Sequence, residues 1–188
     1  MPLESCIVEN VLDSHALLSL KNYARNIPFK KVEKGNNTFL YLTQVPPNVT
    51  KVLQVAMEKA VGAKLKEVIT FLRLNTSELD TEFRIHTDAK VLNQKPEVSA
   101  VFYLDTDSFS GTALFEHKIY GRYGKPEGEI FTEDDGNWNC YLKYFAVENS
   151  MFICNSDLYH GRFPWKSYGK DQSDGRIVIV KFMRYSNS

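Results

Sequence analysis

The stretch FRIHTDAKVLN, residues 83–93, places a histidine and an aspartate two positions apart, at His86 and Asp88. The segment has the composition of a strand, in which side chains at i and i+2 project from the same face. An imidazole and a carboxylate would then lie side by side. A third group of this kind is His160, which follows the apolar run SMFIC within CNSDLYHGRF.

Two imidazoles and one carboxylate form the facial arrangement that holds Fe(II) in non-heme oxygenases, because three protein ligands leave three coordination positions open. Arg176 opens the last apolar run, RIVIVKF. Its planar guanidinium is suited to bind a carboxylate through two charge-assisted hydrogen bonds. The sequence therefore predicts a metal site at His86, Asp88 and His160 with a carboxylate-binding arginine nearby.

These residues resemble a known family. HxD, a distant histidine and an arginine at the start of a terminal strand are similar to the Fe(II)- and 2-oxoglutarate-dependent dioxygenases, and more closely to their prolyl-4-hydroxylase-like branch. VFYLD is similar to the aromatic-Tyr-Leu-Asn/Asp strand that follows HxD in that branch, and SGTALFEH is similar to its GGxLxxF strand. The resemblance covers roughly residues 66–185. It implies Fe(II), 2-oxoglutarate and O2 as cofactor and cosubstrates.

The resemblance also implies a role for each matching residue. The iron ligands would be His86, Asp88 and His160. Arg176 and the hydroxyl of Tyr103 would bind the C5 carboxylate of 2-oxoglutarate, and Leu114 would line the cosubstrate pocket. Asn75 would contact the C1 carboxylate, with Arg73 as the alternative.

One departure from the branch is the longer separation of His160 from Arg176. The run KSYGKDQSDG is interpreted as an inserted loop that absorbs the difference. Lys166 or Lys170 in this loop is the alternative ligand of the C5 carboxylate.

The implied activity is hydroxylation of a C–H bond, with release of succinate and CO2. Related halogenases have a small residue in place of the aspartate, so Asp88 favours hydroxylation. An amino-acid residue in a peptide, a free amino acid and a small metabolite all stay open as substrates. The alternative function is a non-catalytic jelly-roll module that binds a peptide or a sugar.

The elements that must position these residues change in character along the chain. Residues 1–65 predict two helices, in LDSHALLSLKNYARN and PPNVTKVLQVAMEKAVGAKL, around a hairpin, with Asp13 or Ser14 as the first N-cap. Residues 66–188 contain short runs rich in Val, Ile, Phe and Tyr between turn residues, a pattern typical of antiparallel barrels and sandwiches. The runs are EVITFLRLN, TEFRIHTD, VSAVFYLD, GTALFEHKIY, YFAVENSMFICN and GRIVIVKFMRY.

The predicted fold is therefore mainly β with supporting N-terminal helices: a double-stranded β-helix of the jelly-roll, cupin-like type, in a single domain over residues 1–188. Residues 119–139 contain four glycines and many charges. We expect them to form a long loop that closes over the iron site, in which Trp138 could contact substrate. His117, next to Glu116, is expected to form a polar pair at a strand end, and a substrate-facing pair is the alternative.

Composition limits the possible partners. Lysine plus arginine number 23 and aspartate plus glutamate number 23, so the net charge is zero and gives no strong nucleic-acid signal. No apolar stretch is long enough to span a membrane, and no signal peptide is recognisable. The three cysteines have no zinc-like spacing, and we expect reduced thiols in the cytoplasm.

Overall fold

Short strands make up most of the chain after the second helix. The structure is a computed structural model that describes residues 3–34, 37–42, 44–79, 84–88, 90–123, 136–164 and 168–186. Within those residues the elements are β1 (Ser5–Val8), α1 (Ser14–Asn26), β2 (Lys30–Lys34), β3 (Asn37–Leu42), α2 (Pro47–Val61), β4 (Leu65–Asn75), β5 (Val98–Tyr103), β6 (Asp107–His117), β7 (Trp138–Ala146), β8 (Ser150–Asn155), β9 (His160–Phe163) and β10 (Arg176–Tyr185).

Both helices form where the sequence predicts them, but α2 ends at Val61, before the end of the predicted segment at Leu65. Asp13 caps α1, because its carboxylate accepts the amide N–H of Ala16 at 2.8 Å. Helix α2 starts at Pro47 and ends at Val61, and its C-cap Gly62 has the left-handed φ of 69°. Each helix buries one face, formed by Leu17, Leu20 and Ala24 in α1 and by Val49, Leu53 and Met57 in α2. No helix in the described ranges is both long and apolar enough to cross a membrane.

Two antiparallel sheets form the β core. The large sheet has the strand order β1-β8-β5-β10-β4-β3-β2, and the small sheet has the order β7-β6-β9. Strand β10 shows how the layers are built: Ile177 and Ile179 pack with the helices, whereas Val178 and Val180 pack with residues of the small sheet. The predicted fold class, mainly β and of the jelly-roll type with N-terminal helices on one face, is confirmed. We call the space between the two sheets the lumen.

Three details differ from the predicted elements. YFAVENSMFICN forms two strands, β7 and β8, separated by residues 147–149. Around HxD the described residues form a short bridge at His86 rather than a full strand, and residues 80–83 lie outside the described ranges. Trp138 opens β7, so the prediction that it belongs to a loop was wrong. The predicted lid falls mostly on residues 124–135, which also lie outside the described residues.

Candidate metal centre

His86 and His160 are neighbours through their main chains. The amide nitrogen of each lies 2.9 Å from the carbonyl oxygen of the other, which forms an isolated antiparallel bridge. Asp88 is fixed in the same way, because its amide nitrogen donates to the carbonyl oxygen of Ser156 at 2.8 Å. Backbone hydrogen bonds thus set the positions of all three side chains.

The three side chains converge on one point. His160 Nε2 lies 3.2 Å from Asp88 Oδ2, and His86 Nε2 lies 3.8 Å from Asp88 Oδ1. One potential ligand atom from each residue lies within 4.8 Å of the others. His86 keeps 35% of its side chain exposed, whereas Asp88 and His160 keep 11% and 10%. The group is therefore buried on one side and open at His86.

Both imidazoles are oriented by a carbonyl oxygen two residues earlier in the chain. His86 Nδ1 lies 3.2 Å from the oxygen of Arg84, and His160 Nδ1 lies 2.9 Å from the oxygen of Leu158. A carbonyl only accepts, so each Nδ1 carries a hydrogen, and each ring in its neutral form presents the lone pair of Nε2 to the shared space. This is the tautomer that a metal requires when it binds through Nε2.

The charges of the group are strongly coupled. Burial by itself would raise the pKa of Asp88, but the charge of His160 and a hydrogen bond from it outweigh burial and lower this pKa to about 2. Burial and the charge of His160 lower the pKa of His86 to about 4. Burial opposes protonation of His160 as well, yet the carboxylate of Asp88 raises the pKa of that imidazole. At neutral pH the cluster is thus an ionised carboxylate beside one neutral histidine and one that readily takes up a proton.

Arg176 lies deeper in the lumen, on the face of β10 that also carries Val178. Its guanidinium carbon is 5.4 Å from the centre of the Tyr103 ring, within cation–π range. Within the described residues Arg176 makes two hydrogen bonds. Its Nη1 donates to the hydroxyl of Tyr168 at 3.3 Å, and its Nη2 donates to the carbonyl of Gly111 at 3.5 Å. Both bonds are long, and both acceptors are neutral oxygens. The arginine therefore retains donors that a carboxylate would satisfy.

Strand β6 connects the arginine to the histidines. Gly111 contacts Arg176, and Leu114 pairs directly with His160. Three residues of an antiparallel strand span roughly 10 Å. Leu114 is fully buried and packs with Tyr103 and Val178. The lumen between the histidines and the arginine is thus lined by apolar side chains.

Tyr103 and the two candidates for binding the C1 carboxylate, Asn75 and Arg73, all lie on strands that border the lumen. The Tyr103 hydroxyl lies 2.7 Å from Thr112 Oγ1, and burial raises its pKa, so it remains a hydrogen-bond donor. Asn75 pairs with Arg176 across β4 and β10, at the end of the lumen away from His86. Arg73 pairs with Val178 on the lumen face, and its charge helps to lower the pKa of His86. The geometry therefore places Arg73, rather than Asn75, towards the histidines.

The other candidates lie apart from the centre. Lys170 is exposed, and Lys166 lies outside the described residues. His117 ends β6 but is buried, with its ring 4.7 Å from that of Tyr120 and 4.6 Å from that of Trp138. This histidine therefore ends the strand as predicted, and its ring belongs to a buried aromatic cluster that the sequence did not indicate.

Sequence reasoning missed three residues around the centre. Ser99 hydrogen-bonds to Asp88, helping to lower its pKa, and to Ser156 Oγ at 2.7 Å. Gly161 lies so close to the carbonyl of Arg84 that an added Cβ would be 2.7 Å from its oxygen. Tyr168 contacts Arg176 from the loop before β10. Only the glycine carried a signal in the sequence, since it directly follows the histidine in YHGRF.

Comparison with known proteins gives structural neighbours only. No protein-family model matches the chain, and no curated protein sequence matches it. The non-heme α-ketoglutarate-dependent epimerase SnoN from nogalamycin biosynthesis is similar, with a TM-score of 0.62 and 10% identity over 98% of this chain and 79% of SnoN. The carbocyclase SnoK from the same biosynthesis has a TM-score of 0.63 and 9% identity over 97% of this chain and 80% of SnoK.

A third neighbour is HygX from Streptomyces hygroscopicus, in a structure with nickel, 2-oxoglutarate and hygromycin B bound. Its TM-score is 0.59, with 12% identity over 98% of this chain and 84% of HygX. At such low identities the comparisons establish a shared fold.

Proposed function

We propose that this protein is an Fe(II)- and 2-oxoglutarate-dependent oxygenase that hydroxylates a C–H bond of a small-molecule substrate and releases succinate and CO2. The observation that carries the proposal is the convergence of His86, Asp88 and His160, with ligand atoms within 4.8 Å of one another. The fold shared with SnoN, SnoK and HygX supports it, since SnoN and SnoK are described as α-ketoglutarate-dependent and HygX binds 2-oxoglutarate.

The donor set fits ferrous iron. Two imidazole nitrogens and one ionised carboxylate are ligands that suit Fe(II), and their placement on one side leaves positions open towards the exposed edge of His86. The carbonyls of Arg84 and Leu158 hold both rings in the tautomer that presents Nε2. Bound there, Fe(II) would supply the redox chemistry that couples O2 and 2-oxoglutarate to oxidation of a substrate.

The remaining residues provide for the cosubstrate. Arg176 would bind the C5 carboxylate in a bidentate manner, and Tyr103 would donate its hydroxyl to the same group. The separation of roughly 10 Å along β6 between Gly111 and Leu114 is one that an extended five-carbon diacid could span if its other end bound the iron. We assign the C1 carboxylate to Arg73 in preference to Asn75, because Arg73 lies nearer to His86.

Two further observations support the reaction and the substrate class. Asp88 occupies the third ligand position, which related halogenases leave open for halide, and this favours transfer of oxygen. HygX binds hygromycin B and SnoN binds nogalamycin RO, both small molecules. The zero net charge of this chain gives no comparable support for a nucleic-acid substrate.

A substrate screen scored by succinate formation tests the proposal. Wild-type protein with Fe(II), ascorbate and 2-oxoglutarate would be incubated in parallel with glycosides, polyketide-type aromatics, free amino acids and peptides. His160→Ala, treated identically, gives the background. We expect stimulation above background in a small-molecule arm. Stimulation of succinate formation by peptides alone would show that the substrate is an amino-acid residue within a polypeptide and not a small molecule.

A further inference from the structure

Two tyrosine rings lie within cation–π range of the Arg176 guanidinium. Its carbon is 5.4 Å from the centre of the Tyr103 ring and 5.0 Å from the centre of the Tyr168 ring. The Tyr168 hydroxyl donates to the carbonyl of Phe163 at 2.9 Å and accepts from Arg176 Nη1 at 3.3 Å. Arg176 Nε is buried and has no hydrogen-bond partner among the described residues. One edge of the guanidinium is held by Tyr168, and donors on the rest remain for a ligand.

The loop that carries Tyr168 is internally bonded. The carboxylate of Asp174 accepts the amides of Lys170 and Asp171 at 2.7 and 3.0 Å. The carbonyl of Gly169, the residue after Tyr168, accepts the amide of Ser77 at 2.8 Å. These bonds give residues 168–175 a defined conformation.

Helix α1 anchors this loop. The Gln172 amide donates to the carbonyls of Ala24 and Ile27 at 2.9 and 2.7 Å, which satisfies acceptors at the end of the helix. In return, Arg25 donates to the carbonyl of Gln172 at 2.6 Å.

The same arginine reaches the two strands that form the pocket. It donates to the carbonyl of Gly175, which precedes Arg176, at 2.8 Å, and pairs with Asp105, two residues after Tyr103, at 2.7 Å. Arg25 therefore ties the helix to both strand ends that carry the carboxylate-binding side chains.

We infer that Tyr168 is a specificity-determining positioning residue: it holds the Arg176 guanidinium in the orientation that selects 2-oxo acids with a distal carboxylate. The inference rests on the proposed function. Tyr168 acts through Arg176, because its own hydroxyl hydrogen is taken by Phe163. Loss of the hydroxyl releases Nη1, so the guanidinium can rotate and its two-point contact with a carboxylate weakens. A 2-oxo acid without that carboxylate does not depend on this orientation.

The test compares two ligands on nickel-loaded protein, in which no turnover occurs. Isothermal titration measures binding of 2-oxoglutarate and of 2-oxopentanoate, which lacks the distal carboxylate, to wild type and Tyr168→Phe. We expect Tyr168→Phe to bind 2-oxoglutarate about ten-fold more weakly, or about 1.4 kcal/mol, and to bind 2-oxopentanoate and nickel as wild type does. Tyr141→Phe is the matched control, because its hydroxyl contacts Glu4 at 3.3 Å, away from Arg176.

A second variant, Gln172→Ala, loosens the loop without touching the pocket. We expect it to bind 2-oxoglutarate about three-fold more weakly, which is roughly half of the free-energy change expected for Tyr168→Phe, and to bind 2-oxopentanoate as wild type does. Unchanged 2-oxoglutarate binding in Tyr168→Phe, or equal losses for both ligands, would overturn the inference. A wild type that binds both acids equally would instead refute the proposed role of Arg176, and the role of Tyr168 with it.

Discussion

His86 and His160 hold each other in place by a reciprocal pair of backbone hydrogen bonds, each 2.9 Å long, and their ring centres lie 4.6 Å apart. Because the main chain makes this pairing, the two imidazoles are held side by side by the fold itself. The pairing also requires β9 to approach the residues just before His86 closely. The residue that permits this approach is Gly161.

Gly161→Ala should weaken metal binding without removing a ligand. The added Cβ would lie 2.7 Å from the oxygen of Arg84, the same carbonyl that orients His86 Nδ1, so this backbone must move. Loss of such an orienting contact reduces metal affinity by about 10–100-fold. Titration with Co(II), followed by its visible absorption, measures the change.

The matched control for this prediction is Gly62→Ala. Gly62 ends α2 with a φ of 69°, so alanine there should lower the free energy of unfolding by about 1 kcal/mol through backbone strain. Its metal affinity should equal that of wild type. Wild-type Co(II) affinity in Gly161→Ala would show that the Arg84 carbonyl does not position His86.

Arg176→Ala and His160→Ala should fail at different steps. Removal of the guanidinium should abolish measurable 2-oxoglutarate binding while the metal binds as in wild type, because Arg176 lies roughly 10 Å along β6 from the histidines. Removal of the His160 imidazole should weaken metal binding first, by more than about 100-fold, since it deletes a predicted direct ligand. Sequential titration with metal and then 2-oxoglutarate separates the two effects. Normal 2-oxoglutarate affinity in Arg176→Ala would return Lys166 and Lys170 as candidates.

Metal binding should release a proton, and the release should depend on pH. Although burial opposes it, Asp88 raises the pKa of His160 above its ordinary value of 6.5, so near neutral pH this ring carries a proton more often than an ordinary histidine does, and the metal must displace that proton. His86, with a pKa of about 4, contributes none. Affinity should therefore fall as pH decreases through the raised pKa of His160. Calorimetry at pH 7 in two buffers of different ionisation enthalpy counts the protons released on metal binding. Equal apparent binding enthalpies in the two buffers would show that no proton is released and would contradict the prediction.

Lys181 allows a test of stability apart from the site. Its side chain is 1% exposed, and its ammonium donates to the Glu67 carboxylate and to Thr70 Oγ1. Burial lowers its pKa. Lys181→Met should leave the free energy of unfolding unchanged or raise it by up to about 1 kcal/mol, because it removes a buried charge and keeps the volume.

Glu67→Ala is the companion change. It leaves the ammonium buried without its carboxylate, and because Glu67 is 38% exposed we expect a loss of only about 1–2 kcal/mol. Urea denaturation measures both variants. A larger loss of unfolding free energy in Lys181→Met than in Glu67→Ala would contradict the interpretation that the buried charge of Lys181 destabilises the fold.

The sequence indicated the fold through local patterns, and it indicated the convergence of the centre through residue types that match a known family. Short runs rich in Val, Ile, Phe and Tyr between turn residues predicted β4, β5, β6 and β10, and Asp13 was one of the two N-caps predicted from their place before a helical repeat. His86, Asp88 and His160 lie together as their spacing and residue types suggested. Their role as metal ligands remains a prediction.

The parts that could not be predicted depend on contacts between distant segments. Nothing in KSYGKDQSDG indicates that Tyr168 packs on Arg176 or that Gln172 binds the end of α1. The order of Asn75 and Arg73 along the lumen follows from the register between β4 and β10, which a single sequence does not specify. Trp138 was placed in a loop because the glycine-rich run around it obscured the start of β7.

Succinate formation from 2-oxoglutarate without added substrate tests the central claim most directly. Oxygenases of the proposed kind consume the cosubstrate slowly in this uncoupled reaction, whereas a jelly-roll module that only binds a ligand does not. Wild type, Asp88→Ala and His160→Ala would be compared with Fe(II), O2 and labelled 2-oxoglutarate, with Tyr141→Phe as a variant away from the centre. We predict slow succinate release by wild type and Tyr141→Phe, and release at the protein-free rate by the two ligand variants. Equal release by all four proteins, or none above the protein-free rate, would contradict the proposed function.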